Sequence, residues 1–397
     1  MDLQLSSRVQ AIKPSPTLAV TNKAAELRAA GQDIIGLGAG EPDFDTPDHI
    51  KQAAIDAINN GQTKYTAVDG TPALKKAIIA KFKRDNGLEY EANQILVSSG
   101  GKQSFFNLAL ATLNEGDEAI IPAPYWVSYP EMVRLCGAEP VIVETTEENG
   151  WKMTADQFEE AMTPRTKMVI INSPGNPTGA VYSEEELRAI GEVASYEDII
   201  ILSDEIYEKL VYDGHKHVSI ASISEELKSL TVICHGFAKA YSMTGWRLGW
   251  VIGPEALINH LSNLALCMLY GSPEFIQDAA CAALADPPEQ LATMRETYRA
   301  RRDTVCRALT GSSAVEVLRP AAGMFMMIDI RRTGLTAQGF ADRLLDEHGV
   351  SLLAGEAFGP SAAGFVRLSL TVDAERLDEA CRRIERCARD CLATALD

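Results

Sequence analysis

The sequence has no apolar run approaching the roughly 18 to 20 residues that a membrane-spanning helix requires. Its opening, Met1 to Gln10, is polar and lacks the apolar core of a signal peptide. A cytoplasmic protein that neither spans nor crosses a membrane is therefore expected. Positive charge is also scarce, with 37 Lys and Arg against 55 Asp and Glu and a formal net charge of -18. Nucleic acid and anionic membrane surfaces need a basic face to neutralise them, so neither is an expected partner. Any anionic ligand then requires a local basic pocket. The eight cysteines lie between Cys136 and Cys391 with no Cys-x-x-Cys pair, and no metal site is read. Cys381 and Cys391 fall instead on an apolar stripe with Leu377, Ile384 and Ala388, as small core residues would. Internal repeats, low-complexity tracts and long linkers are absent too.

At 397 residues, 46% hydrophobic and 23% charged, the chain exceeds what one core usually serves, so two domains are expected. Residues Ser15 to Arg28 read as a helix. Ile34 to Leu37 read as a short strand leading into the glycine-rich loop Gly38-Ala39-Gly40-Glu41-Pro42-Asp43-Phe44. A helix from about Asp48 to Asn59 precedes the polar loop Thr63-Lys64-Tyr65. From Gln94 one pattern repeats: a short apolar run, a turn with a special residue, then an amphipathic helix. That is the alternation of an α/β fold with a mostly parallel sheet. Gln94 to Val97 leads to Gly100, Gly101 and Lys102, and Ala119 to Ile121 leads to Tyr125 and Trp126. Met168 to Ile171 leads to Asn176, Ile199 to Leu202 to Asp204, and Leu230 to Cys234 to Lys239. Ligands of open α/β sheets bind beyond the carboxyl ends of the strands, so these five clusters, spread over about 140 residues, should converge on one crevice. From about Glu289 the texture changes to a long charged helix, a short sheet and a final helix from about Asp373, which reads as a separate α+β domain.

Lys239 follows a buried strand between glycines. Such an amine can be kept near-neutral and nucleophilic, as Schiff-base chemistry requires, although a lone lysine there could equally reach out to water. Arg247 offers a rigid fork for an anion, and Gly100-Gly101 before a helix offers N–H groups and a helix dipole to a phosphate. Asp204 ends an apolar strand and needs a cation or strong donor, unless it only caps a helix starting near Glu205. Asn176 sits in the turn Ser173-Pro174-Gly175-Asn176-Pro177-Thr178-Gly179, which aims its amide but is also an ordinary turn. In Phe365-Val366-Arg367-Leu368-Ser369-Leu370 the apolar residues alternate with Arg367, which turns away from its domain's core.

The stretch Gly236 to Gly249, with Lys239, Thr244-Gly245-Trp246-Arg247 and the ordered set Asn176, Asp204, Tyr207 and Arg367, resembles the class I aminotransferases, fold-type I enzymes that use pyridoxal 5'-phosphate. The resemblance implies a large domain over 49–288 and a smaller α+β domain of 1–48 and 289–397 that closes over the crevice. It implies that Lys239 holds the cofactor in a Schiff-base linkage and then acts as acid and base. Asp204 would hold the pyridine nitrogen positive, and Tyr207 and Asn176 would bond the phenolic oxygen. Trp126 would stack on the ring, while Gly100, Gly101, Lys102 and Arg247 would surround the phosphate. Ala238 stands where many relatives carry serine. Tyr65 would reach a neighbouring subunit's phosphate, which implies a homodimer. Gly40 and Arg367 would take the substrate α-carboxylate.

Gly100-Gly101-Lys102-Gln103 and Pro124 to Pro130 resemble bacterial aspartate aminotransferases of the Ib subgroup, where a lysine matching Lys102 meets the distal carboxylate of aspartate or glutamate. Cys267 to Pro273 and Leu353 to Pro360 instead resemble arginine:pyruvate transaminases. The expected reaction moves an amino group from an L-amino acid to a 2-oxo acid by a ping-pong mechanism, of aspartate/glutamate type. An arginine and pyruvate specificity is the alternative, as is β/γ-elimination or replacement on the same fold. A regulator of this fold would carry an added basic DNA-binding domain, which is not expected here.

Overall fold

Apolar runs of four to seven residues set the architecture, because each can be buried on both faces only inside a sheet covered by helices. The computed structural model describes residues 4–285 and 289–396. The expected boundary at 288 and the first three residues of the N-terminal reading lie outside the described residues. In chain order the strands are β1 (Ile35–Gly36), β2 (Ile95–Ser98), β3 (Glu118–Ala123), β4 (Glu139–Glu144), β5 (Thr166–Asn172), β6 (Ile200–Asp204), β7 (Thr231–Gly236) and β8 (Gly249–Ile252). They continue with β9 (Glu316–Leu318), β10 (Phe325–Asp329), β11 (Val350–Ser351), β12 (Leu353–Ala354) and β13 (Phe365–Ser369).

The central sheet has the order β2-β8-β7-β6-β5-β3-β4. The pairs from β7 through β4 run parallel, whereas β8 is antiparallel to both neighbours. This is the α/β architecture expected, a mostly parallel sheet between helices with a smaller sheet beside it. Register brings functional groups together: Asn172 pairs with Asp204, and Asp204 with Cys234, so three strands end side by side. Helices Gly101–Thr112 and Glu255–Met268 cover one face through Phe105, Leu108, Ile258 and Leu261. Helices Pro72–Asn86 and Glu274–Ala285 pack around Trp250 and Phe237, and helix Glu184–Tyr196 around Ile190 and Ile201. Fully burying each such side chain stabilises the fold by roughly 1.5–3 kcal/mol.

The smaller sheet, β12-β13-β10-β9, is antiparallel and packs on the long helices Glu289–Leu309 and Ala374–Leu396. Leu377, Cys381, Ile384, Ala388 and Cys391 all lie in that core, on the stripe read from their spacing. The chain enters it early, because β1 pairs in parallel with β11. Ser15 caps the helix Pro16–Ala29 by accepting from the Leu18 N–H, and Pro16 in its first turn lacks an N–H that would have no partner.

One close approach positions the site. Gly236 of β7 faces Gly249 of β8, and the turn at Gly100 lies against them. A side-chain carbon on Gly249 would come within 2.8 Å of the His235 carbonyl and 3.1 Å of Gly100 Cα. Only the missing Cβ lets the strand pair and the 98–101 turn share that space.

Candidate active site

A cavity of about 450 Å³ opens at the carboxyl ends of the central strands, against the smaller sheet. Its walls include Gly40, Gly101, Lys102, Trp126, Asn176, Asp204, Tyr207, Lys239, Arg247 and Arg367. All five strand-end clusters send a residue there, on the side read from sequence. The cluster after β3 sends Trp126 and leaves Tyr125 behind it.

Lys239 follows β7 and donates from Nζ to the Gly40 carbonyl. Burial, with Arg367 and then Arg247 as like charges, lowers its pKa to about 8. The amine is thus closer to its nucleophilic form at neutral pH than an exposed lysine. Asp204 is half-buried as well, and desolvation raises its carboxyl above the ordinary range. The Tyr129 hydroxyl donates to Asp204 Oδ2 at 2.6 Å, and the Ile206 N–H to Oδ1 at 3.2 Å. No α-helix begins at Glu205, so Asp204 is not a helix cap; it ends β6 and faces the cavity. Burial raises the Tyr207 phenol, which therefore stays protonated and able to donate.

The helix Gly101–Thr112 opens with Gly100 at φ 85°, a backbone conformation that favours glycine. A Cβ at Gly100 would lie 2.9 Å from Arg247 Nη2. Arg247 donates from Nη1 to the Thr244 carbonyl at 2.9 Å and from Nη2 to the Ser99 carbonyl at 3.3 Å. Helix N-terminus and guanidinium therefore meet at one corner of the cavity, a positive cup for a phosphate. Lys102 follows in the helix, 5.2 Å from the centre of the Trp126 ring. Burial, and secondarily Arg247, lower its pKa.

From the opposite wall comes Arg367. It sits on β13 between β12 and β10, inside the sheet and not at an edge. Its guanidinium lies 4.0 Å from the Phe325 ring centre and 4.9 Å from that of Phe358. Nη1 donates to Asn176 Oδ1 at 3.0 Å and Nη2 to the Gly38 carbonyl at 2.7 Å. Nε is buried without a partner among the described residues. Burial lowers the Arg367 pKa to about 10.

Tyr65 is not gathered into this cavity. It is 87% exposed and its ring lies 4.7 Å from that of Tyr270, on the outer surface with the half-exposed Met268 and Leu269. Gly100 sits just behind the wall, against Arg247. Sequence reasoning did not single out Tyr129, Thr17, Phe325 or Phe358. Tyr129 could have been found, since its place three residues after Trp126, at the start of helix Tyr129–Leu135, turns it towards the same crevice. Thr17, Phe325 and Phe358 come from distant elements and carried no local signal.

A half-buried amine with a lowered pKa, a half-buried carboxylate, an anion cup and a separate guanidinium define an enzyme site for a carbonyl cofactor bearing a phosphate. Pyridoxal 5'-phosphate fits these residues. The cup at Gly100 would be filled by any side chain there, and the unpaired Arg367 Nε is a buried donor without a partner among the described residues.

The family described as aminotransferase class I and II matches residues 32–384, and the chain belongs to it. It is 48% identical over 394 residues to an aspartate/prephenate aminotransferase of Nitrosomonas europaea, covering 96% of this chain and 99% of that one. It is 49% identical to an arginine–pyruvate transaminase of Pseudomonas aeruginosa, with 92% of each chain covered. The solved aspartate aminotransferase of Thermus thermophilus with maleate superposes at a TM-score of 0.93 and 42% identity, over 97% of this chain and 100% of that one. The protein is a pyridoxal-phosphate-dependent transaminase, acting on amino acids and 2-oxo acids. Among the described residues no helix is long and apolar enough to cross a membrane.

Proposed function

We propose that this transaminase prefers acidic amino acids of the aspartate and glutamate type, and that its site works as follows. Lys239 would hold the cofactor through its amine and give it up to the substrate amine. Pyridoxal phosphate supplies the electron sink that acidifies the substrate Cα–H bond. Lys239 Nζ would take the proton from the substrate Cα as general base and give it back as general acid. Asp204 would hold the ring nitrogen positive, Tyr207 and Asn176 would bond the phenolic oxygen, Trp126 would stack on the ring, and Gly100, Gly101 and Arg247 would surround the phosphate. Arg367, with Gly40, orients the substrate through its α-carboxylate in a two-pronged bond.

The observation that carries the acidic preference is Lys102. Lys102 lines the cavity beside Trp126, on a helix of the central sheet, while Arg367 lines it from the smaller sheet. Two separated cations suit a dicarboxylate. The 49% identical arginine–pyruvate transaminase supports arginine as donor in a second reading. A panel of donors against 2-oxoglutarate, oxaloacetate and pyruvate separates the two. Lys102→Ala should cut kcat/KM for aspartate roughly tenfold or more while sparing alanine, as loss of one charge-assisted bond implies; an equal loss for alanine removes the assignment. Lys239→Ala should abolish turnover. Retention of the amino group on the cofactor marks transamination, whereas ammonia release marks elimination.

The same reading takes 49–288 as the large domain and 1–48 with 289–397 as the small one, which the separate memberships of the two main sheets support. It takes the active form as a cytoplasmic homodimer in which Tyr65 serves the partner's phosphate, supported by the exposure of Tyr65, Met268, Leu269 and Tyr270 together.

A further inference from the structure

The turn that presents Asp204 and Tyr207 to the cavity points two more carboxylates away from it. Glu205 and Glu208 are 1% and 7% exposed. A buried carboxylate is hard to justify by stability alone, since a well-packed apolar side chain does as well or better. Both nevertheless face polar or charged groups of neighbouring elements. Glu205 Oε1 accepts from Ser203 Oγ at 2.8 Å and from Ser219 Oγ at 2.7 Å, and Oε2 lies 3.1 Å from His217 Nε2. Those contacts fasten the end of β6 to the 217–219 stretch. Glu208 Oε1 lies 2.6 Å from Lys81 Nζ in helix Pro72–Asn86 and 3.3 Å from His235 Nε2 on β7, while Asn86 Nδ2 donates to Oε2 at 3.3 Å. Lys209 Nζ stands 3.6 Å from Glu208 and pairs with Asp85 at 2.7 Å.

The backbone between the two is short and closed. The Glu205 N–H donates to the Cys234 carbonyl at 3.1 Å, and the Glu208 N–H to the Glu205 carbonyl at 3.0 Å. With both ends of the turn anchored, Asp204 and Tyr207 have little freedom to leave the cavity side. Burial opposes charge on both glutamates, but His217 and its neighbours hold Glu205 below the usual carboxylate range. Lys81 and His235 hold Glu208 well below it. The charge is felt next door, since Glu205 is among the groups that raise the Asp204 carboxyl.

We propose that Glu205 and Glu208 are positioning residues of the cofactor site, anchoring the 204–208 turn from behind and adding negative potential where Asp204 faces the cofactor's ring nitrogen. The inference rests on the assignment of Asp204 given above. It adds two residues that touch neither cofactor nor substrate.

The test compares Glu205→Gln and Glu208→Gln with the wild type as loaded enzyme. It reads the pyridoxal phosphate dissociation constant by fluorescence quenching, the pH midpoint of the bound cofactor's visible absorbance, and thermal unfolding of the unloaded protein. Removing a nearby negative charge makes a positive group easier to deprotonate, so the midpoint should move to lower pH. Cofactor binding should weaken about tenfold. A purely structural role would lower the unfolding temperature and leave the midpoint in place; a midpoint unmoved in both variants overturns the proposal. If neither variant folds, Ser219→Ala decides. It keeps both charges but removes one bond to Glu205, so binding should weaken about threefold, and an unchanged dissociation constant overturns the proposal. Asp204→Asn binding the cofactor as tightly as wild type would instead remove the Asp204 assignment itself.

Discussion

Lys239 and Asp204 are both half-buried in the cavity wall, and desolvation pushes their pKa values towards each other, the amine down and the acid up. For Lys239 the consequence is measurable without substrate. Capture of pyridoxal phosphate by the unloaded protein should speed up with pH through a midpoint near 8, which a stopped-flow pH profile checks. A midpoint close to that of a free lysine would contradict the desolvated amine. For Asp204 the Tyr129 hydroxyl is what opposes burial. Tyr129→Phe should raise the Asp204 carboxyl further, because the bond it loses favours the charged form. The cofactor affinity owed to that charge is present above the Asp204 pKa and lost as pH falls through it, so the loss in the variant should begin at higher pH. The affinity at neutral pH should fall roughly tenfold, in line with a bond to a charged group. Lys239, Asp204 and Asn176 were legible because each follows a short apolar run, and Arg367 because it interrupts an alternating one; each is a residue type costly to bury. Phe325 and Phe358 were not, since an aromatic residue in a sheet or a turn is usual and nothing local shows that a guanidinium lies between two of them.

At the scale of elements, strand ends and helix starts were readable from apolar runs and caps, and most lie within two residues of their expected places. The direction of β8 was not, because its apolar run looks the same whichever way it enters the sheet. Its antiparallel course brings Gly249 against Gly236 and Gly100, a contact between segments about 150 residues apart. Gly249→Ala should therefore do two things at once. The new carbon meets backbone atoms that cannot yield as a side chain would, so the protein should lose about 2 kcal/mol or more of stability by denaturant unfolding. The displaced 98–101 turn should also weaken binding of free phosphate or pyridoxal phosphate. A stable variant with normal cofactor affinity would show that the turn relaxes freely.

For the whole molecule, the residue that stands apart is Tyr65, outside its own chain's cavity. On the proposed dimer, each site takes Lys239 from one subunit and Tyr65 from the other. A hybrid of Lys239→Ala and Tyr65→Ala chains should then regain activity, because one of its two sites carries both defects and the other neither. Mixing the two inactive or weakened proteins, dissociating and reassociating them, and assaying at low cofactor concentration reads this directly. No gain over the separate variants would place Tyr65 outside the site. The change in texture near Glu289 was legible in sequence, and a long helix does start there, whereas the contribution of Ile35 and Leu37 to the smaller sheet's core was not carried by their composition. That contribution depends on β1 finding β11 more than 300 residues later.

The guanidinium of Arg367, held between two phenyl rings and with one N–H unanswered, also bears on what this protein ignores. A cell contains many primary amines that could condense with the same aldehyde, among them the decarboxylated counterparts of amino acids. Such a molecule brings no anion to that buried cation. On the proposed role of Arg367, discrimination between an amino acid and its amine falls to a desolvated guanidinium next to the carbon that reacts.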